Sequence, residues 1–80
     1  MNIQLIKGEF HAIDALSLIT QLIHTKIKYH ENKISNDSSE EDVKYRESKI
    51  KHLQKELYEL RKNIQETGKN LKIDATIYVS

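Results

Sequence analysis

Few side chains in this chain could do chemistry, and the histidines come first among them. His24 and His52 stand at positions symmetrical about the polar stretch near Asp37, and Glu56 follows His52 by one helical turn. Two imidazoles and a carboxylate can hold zinc or iron, so a chain folded back on itself near Asp37 would raise a metal site of His24, His52 and Glu56. The competing reading is two solvated histidines. No HExxH or comparably tight spacing is present, and a metal centre needs three or four well-placed ligands. The sequence therefore assigns no cofactor and no metal ligand, and metal binding through His24 and His52 stands as a third alternative. His30 is different, because it falls on an apolar stripe with Arg46 and Glu47 opposite it. A polar layer that sets helix register is the role expected there.

The four tyrosines, Tyr29, Tyr45, Tyr58 and Tyr78, lie among Lys28, Lys44, Arg46 and Lys49. Aromatic rings stack on bases and cations neutralise phosphates, so this mixture raises nucleic-acid binding. The neighbours argue against it. Glu40 with Lys44, Asp42 with Arg46, Glu47 with Lys51, Lys55 with Glu59 and Lys62 with Glu66 interleave the signs at four-residue spacing, which is the pattern of a solvated helix face. With 13 basic and 12 acidic residues the chain carries a net charge of +1, too little for general attraction to a polyanion. Contact through Lys44, Arg46, Lys49 and Lys51 is kept as the second reading.

No glycine-rich phosphate loop, nucleophile elbow or calcium-binding loop is present, and the acidic residues from Asp37 to Asp42 lack the spacing of the last. Cysteine is absent, which removes disulfides, thiolate ligands and thiol nucleophiles together. No catalytic residue is assigned, and the chain reads as a non-enzyme.

The elements that would position these groups follow from periodicity. Residues 1–7 are β-branched and partly alternating and end before Gly8, so a strand and a turn are expected. From 11 to 34 apolar residues recur at helical spacing without glycine or proline. Residues 35–39 are turn and capping types, and either Ser38 with Glu41 or Ser39 with Asp42 could box the start of a second helix over 40–67. Gly68 stands where a helix C-terminal glycine belongs. Residues 71–79 alternate, with Ile73, Ala75, Ile77 and Val79 on one face.

The expected fold is α+β: a β-α-α-β chain forming one domain over 1–80, with a long antiparallel helical hairpin and a two-stranded antiparallel sheet. The seam test is that residues equidistant from the turn should both be apolar. Ile34 meets Val43, Ile27 meets Ile50, Ile23 meets Leu53, Ile19 meets Leu57, Leu16 meets Leu60 and Ala12 meets Ile64. A helix of this length outruns the strands, so the base should be globular and the far half a solvated arm.

A two-stranded sheet with open edges and a broad apolar face on the first helix call for further cover, and a homodimer supplies it. Ile13, Leu18, Leu22, Ile3 and Ile77 are the expected interface. The leading functional reading is a non-enzymatic interaction or assembly module that self-associates and presents its arm to an unidentified protein partner. The first residues lack the order of a secretory leader, and no apolar run approaches the about 20 residues needed to span a bilayer. A cytoplasmic location is expected, with no membrane partner.

Overall fold

The computed structural model describes residues 1–80. Strand β1 (Asn2–Phe10) leads into helix α1 (Ala12–Lys33), helix α2 (Glu40–Thr67) returns, and strand β2 (Leu71–Tyr78) pairs antiparallel with β1 in a two-stranded sheet. The β-α-α-β order and the α+β class agree with the sequence expectation.

Local chemistry sets the ends of α2. Ser39 is its N-cap: the Ser39 hydroxyl accepts from the Asp42 backbone N–H at 3.1 Å, meeting one of the helix's unpaired donors. Ser38 does other work. Its hydroxyl accepts from the Ser35 N–H at 3.0 Å and donates to the Lys33 carbonyl at 3.4 Å, knitting the turn onto the last carbonyls of α1. Gly68 closes α2 in the left-handed region, φ 59 and ψ 11, and its N–H reaches the Ile64 carbonyl at 2.9 Å. At the other end of the hairpin, His11 Nδ1 lies 3.1 Å from Asn70 Oδ1, so a side-chain hydrogen bond ties the entry to α1 to the exit from α2.

The first strand corrects the sequence reading. It does not stop at residue 7 but runs through Gly8 to Phe10, with Gly8 opposite Ile73 and Phe10 opposite Leu71. Gly8 sits within the ladder at φ 151, a backbone angle that suits glycine, and a methyl group built on it would stand 3.8 Å from the Phe10 ring. Glycine here meets a backbone angle that other residues rarely adopt, and the Phe10 ring would stand in ordinary contact with a methyl group at this position; it does not mark a turn. The imperfect alternation of β1 has a cause as well. The register shifts between Gln4 and Ile6, leaving Leu5 as the extra residue of a β-bulge. Because a bulge switches side-chain parity, Ile3 pairs with Ile77 and Ile6 with Ala75 on one continuous apolar face that also takes in Ile73, Phe10 and Leu71.

The hairpin seam is where the core sits. Ala15, Ile27, Leu53, Leu57 and Ile64 are the buried apolar residues and His30 the buried polar one, 6 of 80 in all. Such a thin core matches the shape. The Cα extents are 45 × 35 × 13 Å, and the radius of gyration of 15.3 Å exceeds the about 12 Å of a compact domain of this length. The long dimension is that of α2, whose 28 residues at about 1.5 Å each span roughly 42 Å. No helix is long and apolar enough to cross a membrane.

Candidate functional site

Two surfaces gather side chains beyond what folding of the single chain uses. The first is apolar and begins where the sheet meets the hairpin. Strand β2 packs against α1, and Ala15 in the first turns of α1 has no exposed surface. Ala15, Leu18 and Leu22 follow one another at helical spacing on a single flank of α1. Cover fades along that row: Leu18 is half-buried and Leu22 is 38% exposed. The apolar face of the sheet shows the same gradient. Leu71, Ile73 and Ala75 are half-buried near the junction, whereas Ile77 is 43% exposed, its cross-strand partner Ile3 is 37% exposed, and Met1 and Val79 beyond them are exposed. Two apolar rows thus leave one junction and lose their cover as they diverge from it.

Ile13 does not belong with them. It is 82% exposed, and nine residues before Leu22 is two and a half helical turns, which places it on the opposite flank of α1. The five expected interface residues therefore divide: Leu18, Leu22, Ile3 and Ile77 lie on the two diverging rows, and Ile13 stands apart.

The second surface lies on the arm. Arg46 Nη1 donates to His30 Nδ1 at 2.9 Å across the seam, which forms the polar layer foreseen between those positions. The Arg46 guanidinium then lies between two tyrosine rings, 5.7 Å from the centroid of Tyr29 and 5.8 Å from that of Tyr45. Lys33 is 5.6 Å from the Tyr29 ring and Lys49 is 5.5 Å from the Tyr45 ring. The order is Lys33, Tyr29, Arg46, Tyr45, Lys49, an alternating ladder of cations and aromatic faces built by both helices. Burial, then the positive charges of Arg46, Lys26 and Lys49, hold the proton affinity of His30 below the ordinary imidazole value.

Of the four residues kept as the alternative nucleic-acid surface, Arg46 and Lys49 join this ladder. Lys44 does not: it turns to Glu40 at 3.4 Å on the outer face of α2, and Lys51, seven residues on, shares that exposed face. Lys33 was missed in the sequence because only folding brings α1 and α2 side by side. The spacing of Tyr29 and Lys33 by one turn was the available signal.

The histidine pair kept as the third alternative, His24 with His52, is not brought onto one side of the hairpin. His24 looks into a groove of about 470 Å³ along one flank of the hairpin, with Lys28 and Glu31 from α1 and Gln54, Tyr58 and Arg61 from α2 above a floor of Ile27 and Leu57. His52 is not among the groove's residues; its Nε2 lies 2.6 Å from Glu56 Oε1 on the other flank. Symmetry about the turn puts two residues at one level of a hairpin without putting them on one side. No group of three metal-binding side chains exists anywhere in the chain.

No protein-family model, curated protein sequence or solved structure matches the chain.

Proposed function

We propose that this chain is a non-enzymatic interaction or assembly module of the cytoplasm that self-associates through its base and holds out the helical arm to a protein partner. One observation carries the reading. Ile3 and Ile77, paired directly across the sheet, remain 37% and 43% exposed, and Leu22 on the neighbouring helix row remains 38% exposed. Exposed large apolar residues grouped in rows of this kind are the usual mark of an interface rather than of a free monomer's skin. A second copy is the favoured occupant because each copy offers both rows and both open strand edges, so a two-fold pairing can bury the bare end of each row on its counterpart.

The experiment is the solution mass of the purified chain by light scattering over a concentration series, with Leu18→Glu/Leu22→Glu and Ile77→Glu beside it. A dimer that the substitutions convert to a folded monomer supports the reading. A wild-type chain that stays monomeric at every concentration would overturn the self-association half of it.

A further inference from the structure

The ladder on the arm is not needed to hold the hairpin together. Its tyrosines and lysines are exposed, and the buried layer beneath it is completed by the single bond from Arg46 to His30. Lys26, Lys33, Arg46 and Lys49 each lack an ion pair. The ion pair of Lys44 with Glu40 and the contact of His52 with Glu56 lie elsewhere, and Asp42, one turn before Arg46, pairs with none of them. Three unpaired cations, Lys33, Arg46 and Lys49, stand 5.5 to 5.8 Å from the centroids of two aromatic rings, a local concentration in a chain of net charge +1.

We propose that the ladder of Lys33, Tyr29, Arg46, Tyr45 and Lys49 is a binding site for single-stranded nucleic acid. The division of labour follows from which members can move. Arg46 is anchored at 2.9 Å to His30 and stays between the rings as a fixed positive centre. Lys33 and Lys49 stand over Tyr29 and Tyr45 at the ends of flexible stems. An unpaired base laid on a tyrosine face displaces the ammonium above it, and the released ammonium meets the adjoining phosphate. Base stacking on an aromatic side chain outweighs the exposed cation–π contact it replaces.

The ligand must supply flat rings and regularly spaced negative charge together. An acidic peptide offers the charge without the rings. A duplex keeps its base faces stacked inside, so only an unpaired strand presents both to the two tyrosines. The site is on the arm, so its test stands apart from how the base associates. It also differs from the four-residue surface that the sequence offered as an alternative, since Lys44 and Lys51 take no part.

The test is fluorescence anisotropy of the full chain with a short labelled oligouridylate and the matching oligothymidylate, at low ionic strength and with rising potassium chloride. Binding that weakens with salt is expected, together with a roughly tenfold or greater loss for Tyr29→Leu/Tyr45→Leu. Lys33→Ala/Lys49→Ala should also bind more weakly, whereas Lys44→Ala/Lys51→Ala should bind as the native chain does. If circular dichroism shows the double leucine variant to be unfolded, the double lysine variant decides, because its side chains are exposed and carry no structural bond. No binding at low salt overturns the proposal, as does unchanged affinity in the double lysine variant. Equal affinity for inorganic polyphosphate, polyglutamate or a duplex would show a merely basic surface and overturn it too.

Discussion

Arg46 donates a hydrogen bond from Nη1 to Nδ1 of His30, 2.9 Å away across the helical seam. The bond fixes the chemistry of the imidazole, because Nδ1 can accept only when it carries no proton. A neutral His30, with its hydrogen on Nε2, is therefore part of the folded arm, and the bond gives the seam a layer that a slipped register would leave unpaired.

Acidification should weaken that layer. Burial, followed by Arg46, Lys26 and Lys49, lowers the proton affinity of His30 in the folded chain below the unfolded value of about 6.5. Between the two values the unfolded chain binds more protons, so stability rises with pH across that window. The contribution is complete above about pH 6.5 and is lost as the pH falls below it. The expected result is a lower thermal midpoint at mildly acidic than at neutral pH, with a smaller difference in His30→Leu. Equal pH dependence in the variant and the native chain would remove His30 from this role.

Zinc should leave the thermal midpoint where it is. His24 opens into the groove on one flank while His52 is engaged by Glu56 on the other, and binding confined to the folded state would need ligands on one side to raise stability. Thermal denaturation with and without zinc in molar excess checks this, and a rise abolished by His24→Ala would contradict the placement of the two residues.

Much of the architecture was legible because its signals are local or symmetric. Uninterrupted helical spacing marks α1 and α2, and apolar residues equidistant from the turn mark the seam, including the His30 and Arg46 layer. What escaped depends on a third coordinate. Position about the turn gives a level on the hairpin, but handed rotation about each helix axis decides the flank, and that separates His24 from His52. Ile13 is a different case, because its nine-residue spacing from Leu22 already put it on the opposite side of one helix. The end of β1 escaped for another reason. Gly8 looks like punctuation in sequence, and only the bulge at Leu5 explains why apolar Ile3, Ile6 and Phe10 share a face despite their broken alternation.

The caps of α2 give two sharply local expectations. Sequence left Ser38 and Ser39 as rival caps, and the Asp42 N–H chooses Ser39 at 3.1 Å. Ser39→Ala should cost about 1 kcal/mol. Gly68→Ala should cost about 1–2 kcal/mol, since φ 59 forces the new Cβ into the left-handed region even though nothing else stands near it. Urea denaturation followed by circular dichroism measures both. A Gly68→Ala chain as stable as the native one would mean that α2 ends differently in solution.

The divergence of Ile13 from the other apolar candidates gives the sharpest test of where copies meet. Ile13 is the more exposed residue, 82% against 38% for Leu22, so exposure alone would favour it as the interface. Continuity argues the other way. Leu22 extends a row that begins at fully buried Ala15, and the Ile3 and Ile77 pair extends the sheet face that leaves the same junction, whereas Ile13 lies across the helix from both. Ile13→Glu should keep both the native fold and the native mass, a surface change worth no more than about 0.5 kcal/mol. Leu22→Glu and Ile77→Glu should each lower the apparent mass at a given concentration while far-ultraviolet circular dichroism stays native. Light scattering on the three variants distinguishes the cases, and a chain made monomeric by Ile13→Glu alone would move the interface to the opposite flank of α1.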